Sequence, residues 1–579
     1  MRSLTELPAS LLLLLASAAA GFVIPPSEWL PEGQTVITTS DRGSGRKGAV
    51  ACESKVCSQI GIDLLAQGGN AVDAWIGTQL CVGVIGMYHS GLGGGGFAII
   101  RDQSGDHTVI DYREAAPAAA FEDMYRDNVM GSVWTGLAAG VPGELRGLED
   151  AHIKYGSLPW KNVVLPAAFV ARDGFPVTED TVRYMEYGIM SAGWNFLVDD
   201  PSWALDFAPQ GSLLKLGETM YRKRYADTLE KIAYEGADVF YTGEMANATI
   251  ATIQKDNGTM TLKDMSEYKA ITRRSVSISY RDYKLFSSGA PSSGAVALST
   301  LKTMEGYNIA DTADTNLTLH RFDESMRFAY GAHQALGDPD YLSDTDTLED
   351  KMLSASKTAS IRRKILDNST QPVENYDPDK VYVPDSHGTS HIVTADASGM
   401  AVSSTTTINL LFGNLQMVPS TGVILNNEMN DFSIPGVRNE FGYAPSEANY
   451  IRPRKRPLSS ITPIIIEDSE GRLFATVGAA GGSRIISSTT QVVWHLLEHG
   501  MSMEDSIREP RIHDQLMPNA AVFEYTFDNA TVASMAEKGH NVTWVREGVS
   551  AVQGIRIEAD GSFESVSETR QKNSGGLTT

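Results

Sequence analysis

The sequence predicts an α+β protein in which stacked sheets are flanked by helices, and three observations carry that expectation. Helical patterning dominates from about Ala118 to Thr370, with Leu317 to Leu336 the clearest long helix. Beyond residue 390 the character changes to short β-prone runs joined by tight turns. His391 to Asp396 and Ala401 to Ile408 flank Ala397-Ser398-Gly399, and Pro463 to Glu467 and Arg472 to Val477 flank Ser469-Glu470-Gly471. Each pair reads as a hairpin. A helical part feeding a strand-rich part buries both sheet faces only if helices cover the outer ones.

The remaining elements follow in chain order. Arg2, the apolar run Leu11 to Leu15 and the small residues Ala16 to Ala20 have the layout of a secretory signal cleaved near Ala20. A membrane anchor is the competing reading, but a span needs about 20 apolar residues and Pro25-Pro26 ends the stretch too early. Ser54 to Leu65 places Val56, Ile60 and Leu64 on one helix face and stops at Gly68-Gly69; Ala71 to Val84 reads as a more buried second helix. The run Gly91-Leu92-Gly93-Gly94-Gly95-Gly96 fits GxGxxG formally, but a dinucleotide site puts the strand before the glycines and the helix after. Here the order is reversed, so a tight turn beside a packed strand, Phe97 to Arg101, is expected; His107 to Arg113 follows as another strand. Asp367 to Asp385, with Pro372, Pro378 and Pro384, reads as an exposed, mobile connector, and the residues after Glu568 as frayed.

Composition bounds the function. The 579 residues carry 48 Lys+Arg against 71 Asp+Glu, a net charge of −23, with 42% hydrophobic residues. That argues for a folded acidic protein and against nucleic acid as a partner. Six Asn-x-Ser/Thr sites, Asn247, Asn257, Asn316, Asn368, Asn529 and Asn541, suit an exported glycoprotein. With three cysteines, a Cys57–Cys81 bridge leaving Cys52 as the odd thiol is the expected pairing in an oxidising compartment.

Two metal readings are weak. His495-Leu496-Leu497-Glu498-His499 matches H-x-x-E-H on a helix from Ile485 to His499, but the sequence places no third ligand. His387 and His391 are also four apart, but a strand would not align them. The basic run Arg452 to Arg456 reads as a charged loop.

The stretch Asp385-Ser386-His387-Gly388-Thr389-Ser390-His391 joins the connector to a strand. If the Gly388–Thr389 bond is broken, Thr389 gains an α-amine beside its hydroxyl. An unperturbed α-amine has a pKa of about 7.7–8.0, so one residue would supply nucleophile and general base at neutral pH.

That stretch, continued through Thr407-Ile408-Asn409-Leu410, Phe412-Gly413 and Asn426-Asn427-Glu428-Met429-Asn430-Asp431-Phe432, resembles the γ-glutamyltranspeptidase family. So do Arg456-Pro457-Leu458-Ser459-Ser460, Gly478-Ala479-Ala480-Gly481-Gly482, the glycine run after Ser90, and Tyr112-Arg113-Glu114-Ala115-Ala116-Pro117. The resemblance covers nearly all of the chain after the signal. It implies a four-layer αββα N-terminal nucleophile hydrolase sandwich. It also implies one precursor (signal 1–20) that cuts itself between Gly388 and Thr389 into a large subunit, 21–388, and a small subunit, 389–579, held as a heterodimer.

By the same resemblance, Thr389 is the nucleophile, Thr407 hydrogen-bonds it, and Gly481 and Gly482 hold the oxyanion. A γ-glutamyl group carries an α-carboxylate and an α-ammonium. Arg113, aided by Ser459 and Ser460, is expected on the carboxylate, and Glu428, Asp431 and Asn409 on the ammonium. The implied reaction is γ-glutamyl transfer from glutathione or related compounds to water, an amino acid or a dipeptide, with no metal or organic cofactor. Ser390 and Val393-Thr394 depart from the family's usually more apolar strand without touching these roles. The segment from Asp431 to Ser459 resembles a lid-forming arrangement, with Phe441 at its tip. The rivals are an acylase of the same fold acting on a glutaryl-type amide, and a processed but inactive secreted protein. Localisation is expected in the secretory pathway, at the cell surface or outside.

Overall fold

A computed structural model of the protein describes residues 47–308, 315–383, 388–439 and 442–579. The expected signal, the stretch Asp385-Ser386-His387 and the lid tip Phe441 lie outside the described residues.

Two antiparallel sheets form the centre. The first runs in the order Gly575–Thr578, Gly48–Cys52, Ser390–Asp396, Ala401–Thr407, Gly95–Arg101, His107–Asp111, Ile271–Arg273. The second runs Phe563–Val566, Ala551–Ile557, Leu473–Ala480, Ile464–Glu467, Tyr283–Ser288, Ser275–Tyr280. Strand alternation explains the layering. In Ser390–Asp396, Val393 and Ala395 face the second sheet with Ile465 and Ile555, while Ile392 faces the helices. Helices Lys55–Ala66 and Ala71–Ile85 cover the first sheet, and Gly294–Met304 and Arg484–Glu498 the second. The result is the expected αββα sandwich.

The Ala401–Thr407 strand is fully buried although five of its seven residues carry hydroxyls. Burial of hydroxyls is tolerated only when they are paired. Facing the second sheet, Ser403 donates to the Val477 carbonyl at 3.1 Å and Thr405 pairs with His391 Nδ1 at 2.8 Å. Facing the helices, Ser404 lies 2.8 Å from the Tyr112 hydroxyl and Thr406 donates to Glu144. That leaves Thr407 at the strand end, its hydroxyl turned to the Gly388 carbonyl. Its neighbours crowd close: a Cβ on Gly94 would come within 2.0 Å of the Thr407 carbonyl oxygen, which is what the glycine run is for.

Three expectations change, and a fourth, the charged loop of the basic run, holds with part of it buried. The stretch from Ala118 to Thr370 is mainly helical, but Ser275–Tyr280 and Tyr283–Ser288 inside it complete the second sheet. The connector is anchored: Val373, Tyr376 and Asp377 are buried and Val381–Tyr382 pairs with Ala444–Pro445, because apolar and aromatic residues are interleaved with its prolines. The C-terminal residues are not frayed, since Gly575–Thr578 forms an edge strand against Ala49 to Cys52. In the basic run, Lys455 and Arg456 are buried while Arg452 and Arg454 are exposed.

Cys57 and Cys81 are bridged, joining the first two helices with their Cα atoms 5.3 Å apart; Cys52 is buried and free, and burial pushes its thiol up to about 12. Five of the glycosylation-type asparagines are exposed and Asn316 is half-buried. Among the described residues no helix is long and apolar enough to cross a membrane.

Candidate active site

Gly388 and Thr389 lie where the connector enters the first sheet. Gly388 has φ +113°, and a Cβ there would stand 2.7 Å from the Asn409 carbonyl oxygen, so glycine is required at this bend. The Thr407 hydroxyl donates to the Gly388 carbonyl at 2.7 Å and accepts the Asn409 amide N–H at 2.7 Å. In the uncut chain, Thr407 therefore polarises the carbonyl of the Gly388–Thr389 bond itself.

A small cleft opens beside this bond, lined by Arg113, Thr389, Thr407, Asn409, Asp431, Ser459 and Ser460, together with Ile461 and Ile485. Seven residues expected at the site thus meet in one cavity. Arg113 enters from the end of the His107–Asp111 strand. Arg456 ties the Ser459-Ser460 loop alongside it through Asp111, donating from Nη1 to the Asp111 carboxylate at 2.6 Å and to its carbonyl at 2.7 Å. Glu428 and Asp431 occupy one short 3-10 turn, Glu428–Asp431, which explains how residues three apart face the same way.

Arg113 is buried with its Nη1 on Glu428 and its Nη2 2.5 Å from Asp431, while Nε has no partner. Burial works against its charge, but Glu428, Asp431 and Glu114 outweigh burial and raise its pKa. The carboxylates pay in the other direction: burial, opposed by Arg113, pushes Glu114 up to about 8 and Glu428 well above the usual range. Asn409, in a left-handed conformation, donates its Nδ2 to the Asn427 carbonyl at 3.0 Å and leaves a buried Oδ1 without a donor. The cleft therefore offers a cation with unpaired N–H capacity beside acidic and amide acceptors.

Gly481 and Gly482 end the Leu473–Ala480 strand with φ +128° and +62°, just before the Arg484–Glu498 helix whose Ile485 lines the cleft. Among the described residues, neither amide N–H is used in a turn or loop hydrogen bond.

Several residues fall elsewhere. His391 is buried between Thr405 and Ser403, and burial lowers it to about 3. His495 and His499 pack against Trp494 at the helix end, one ring tilted and the other edge-on, burial lowers His495 to about 3, and no third ligand joins them among the described residues. Ser390 is satisfied by Glu53 at 2.9 Å and Thr394 by the Ala71 carbonyl at 2.7 Å. Sequence reasoning gave no role to Glu114, Ile461 or Ile485. Glu114 was detectable as the acidic neighbour of Arg113; the two isoleucines carry no chemical signal.

A stacked αββα sandwich with a threonine at the foot of a central strand, beside a charged cleft, defines the N-terminal nucleophile hydrolase class. The cephalosporin acylase of Bacillus halodurans shares this fold, with a TM-score of 0.80 at 24% identity over 96% of this chain and 99% of that one. Within the class, the chain belongs to the gamma-glutamyltranspeptidase family, whose model matches residues 57–577. It is 49% identical to a glutathione hydrolase proenzyme of Arthroderma benhamiae over 545 residues, 92% of this chain and 93% of that protein. It is 45% identical to a glutathione hydrolase of Aspergillus flavus, over 92% of this chain and 89% of that one.

Proposed function

We propose that the protein is a γ-glutamyltransferase and glutathione hydrolase, made as a precursor that cuts itself between Gly388 and Thr389. The observation that carries this reading is the Thr407 hydroxyl held on the Gly388 carbonyl at the mouth of a cleft offering both signs of charge. In processing, Thr389 Oγ attacks the Gly388 carbonyl carbon, the C–N bond breaks, and the proton of the hydroxyl goes to the freed amine. Water then hydrolyses the resulting ester, releasing the large subunit's C-terminus at Gly388. Loss of Gly388 from Thr407 frees that hydroxyl to hydrogen-bond Thr389 Oγ.

In turnover, the Thr389 amine takes the hydroxyl proton as Oγ attacks the γ-carbonyl of the donor. The Gly481 and Gly482 amides receive the oxyanion. The amine gives its proton to the departing nitrogen of cysteinylglycine, and a γ-glutamyl ester remains. Water or the amine of an amino acid or dipeptide then attacks that ester, its proton returning to Thr389. Arg113 with Ser459 and Ser460 binds the donor's α-carboxylate; Glu428, Asp431 and Asn409 Oδ1 bind its α-ammonium. None of these steps uses a metal or organic cofactor. The signal-like N-terminus and the exposed sequons support export as a glycoprotein.

The test is a pair of anilides. A γ-glutamyl anilide is hydrolysed and a glutaryl anilide, which lacks the α-ammonium, is not. Equal activity on both would assign the glutaryl acylase reading instead, and activity on neither would sink both.

A further inference from the structure

Two loops grip the donor in the proposed reaction, and both lean on the last turn of the Thr315–His333 helix. The Ser459-Ser460 loop is tied to the segment Pro291-Ser292-Ser293. The Ser459 amide donates to the Pro291 carbonyl at 2.8 Å, and Ser292 Oγ donates to the Ile461 carbonyl at 2.6 Å. Ser293 Oγ donates to the Ser459 carbonyl at 2.6 Å. A carbonyl has no proton to give, so the Ser293 hydrogen is committed and its oxygen accepts from His333 Nε2, 2.8 Å away. That fixes the His333 tautomer, and burial keeps the ring neutral by lowering it to about 4.

On the same turn, the Tyr330 hydroxyl donates to the Ser483 carbonyl at 2.8 Å. Ser483 directly follows Gly481 and Gly482 and precedes the Arg484–Glu498 helix, so this bond fixes the far end of the oxyanion turn. The near end is fixed by the Leu473–Ala480 strand. Tyr330 and His333 are buried and three residues apart, neighbours on one helix face. Tyr330, His333 and Ser293 are not among the described residues lining the cleft, so they act through Ser483 and Ser459 and not on the donor itself.

We propose that this turn of helix is the gauge that spaces the two grips of the Thr389 cleft. Tyr330 positions the oxyanion turn, and His333, through Ser293, positions the α-carboxylate loop. The inference rests on the γ-glutamyl reading, which puts the oxyanion at Gly481 and Gly482 and the α-carboxylate at Ser459 and Ser460. Three carbon atoms join the donor's α-carboxylate to its γ-carbonyl, so the two grips must keep a set spacing for that carbonyl to meet Thr389. Misplacing a reacting group by about 1 Å can cost about a hundredfold in rate. One rigid turn touching both loops supplies the spacing.

The experiment measures kcat and donor KM on a γ-glutamyl anilide for two proteins that each lose a single oxygen atom. Tyr330→Phe should lower kcat about tenfold, a fraction of the roughly 100–1,000-fold that loss of an oxyanion donor costs, with KM within about twofold of wild type. Ser293→Ala should do the opposite, raising KM about tenfold with kcat within about twofold. His333→Leu should repeat the Ser293→Ala result. His333→Gln, whose amide N–H can stand where Nε2 does, should restore the wild-type KM. Parallel changes in kcat and KM in both oxygen-deletion proteins, as general loosening would give, would overturn the proposal. So would wild-type values in either, a His333→Gln protein that behaves as His333→Leu does, or failure of Tyr330→Phe or Ser293→Ala to release a small subunit. Wild-type turnover of the anilide reports the γ-glutamyl reading separately; its absence would remove that reading and this inference with it.

Discussion

Arg113 and Arg327 each sit among three buried carboxylates, yet the two clusters are built to different ends. Arg327 meets Asp514 at 2.6 Å, with Glu324 and Asp323 close by. Glu324 accepts the hydroxyls of Thr370 and Tyr376 at 2.7 Å, and His540 faces Asp323 at 3.0 Å while bonding His320 at 2.8 Å. That cluster is closed, and it clamps the connector that leads to Gly388 against the Thr315–His333 helix. Arg113, with Glu114, Glu428 and Asp431, instead lines an open cleft beside Thr389. The same inventory of charge thus serves as a strut in one place and as a receptor in the other. What separates them is an open face with Thr389, the proposed nucleophile, within it.

The largest expected effect removes the proposed nucleophile. Thr389→Ala should abolish both the appearance of a small subunit on a denaturing gel and all anilide turnover, while a Arg327→Met protein that folds should retain both. Next, Asp431→Ala should raise the donor KM about a hundredfold or more, the scale for truncating one member of a buried charge pair at a binding site. Arg327→Met should do the reverse: a loss of about 3–5 kcal/mol of stability, read by denaturant unfolding, with the donor KM unmoved. A changed KM there would blur the distinction between strut and receptor.

The smallest effect is a pH signature of the closed cluster. Burial, opposed by Arg327, holds Asp323 up to about 7. Its folded-state pKa lies above the unfolded value of about 3.9, so this carboxyl favours folding at acid pH and the contribution is lost as pH rises from about 4 through 7. Asp323→Asn should therefore gain a few degrees of Tm relative to wild type between pH 5 and pH 8. A gap that does not move, or moves the other way, would mean the carboxylate is ionised in the folded state.

Much of this was legible before the structure. The hairpin around Gly399 and the first two helices were readable because turn residues and apolar spacing agree there. The strand Ser275–Tyr280 was missed although Ser-Val-Ser-Ile-Ser-Tyr alternates, because helical patterning on both sides dominated the reading. Gly575–Thr578 was missed because two glycines carry no strand signal, and only pairing with Cys52 and Ala51 makes them one. At the site, it was the resemblance to the γ-glutamyltranspeptidase family that pointed to Thr389, Thr407, Arg113 and Asp431; taken singly, none of them stands out in the sequence. The resemblance did not reveal that Arg113 already rests on Glu428 and Asp431. That fact depends on which distant elements meet.

The most direct measurement is the N-terminal sequence and mass of each chain in the purified, deglycosylated, active protein. The account predicts a small subunit running from Thr389 to Thr579 and beginning Thr-Ser-His, with its α-amine free. An active preparation made of one uncut chain, or of fragments beginning at another residue, would contradict it.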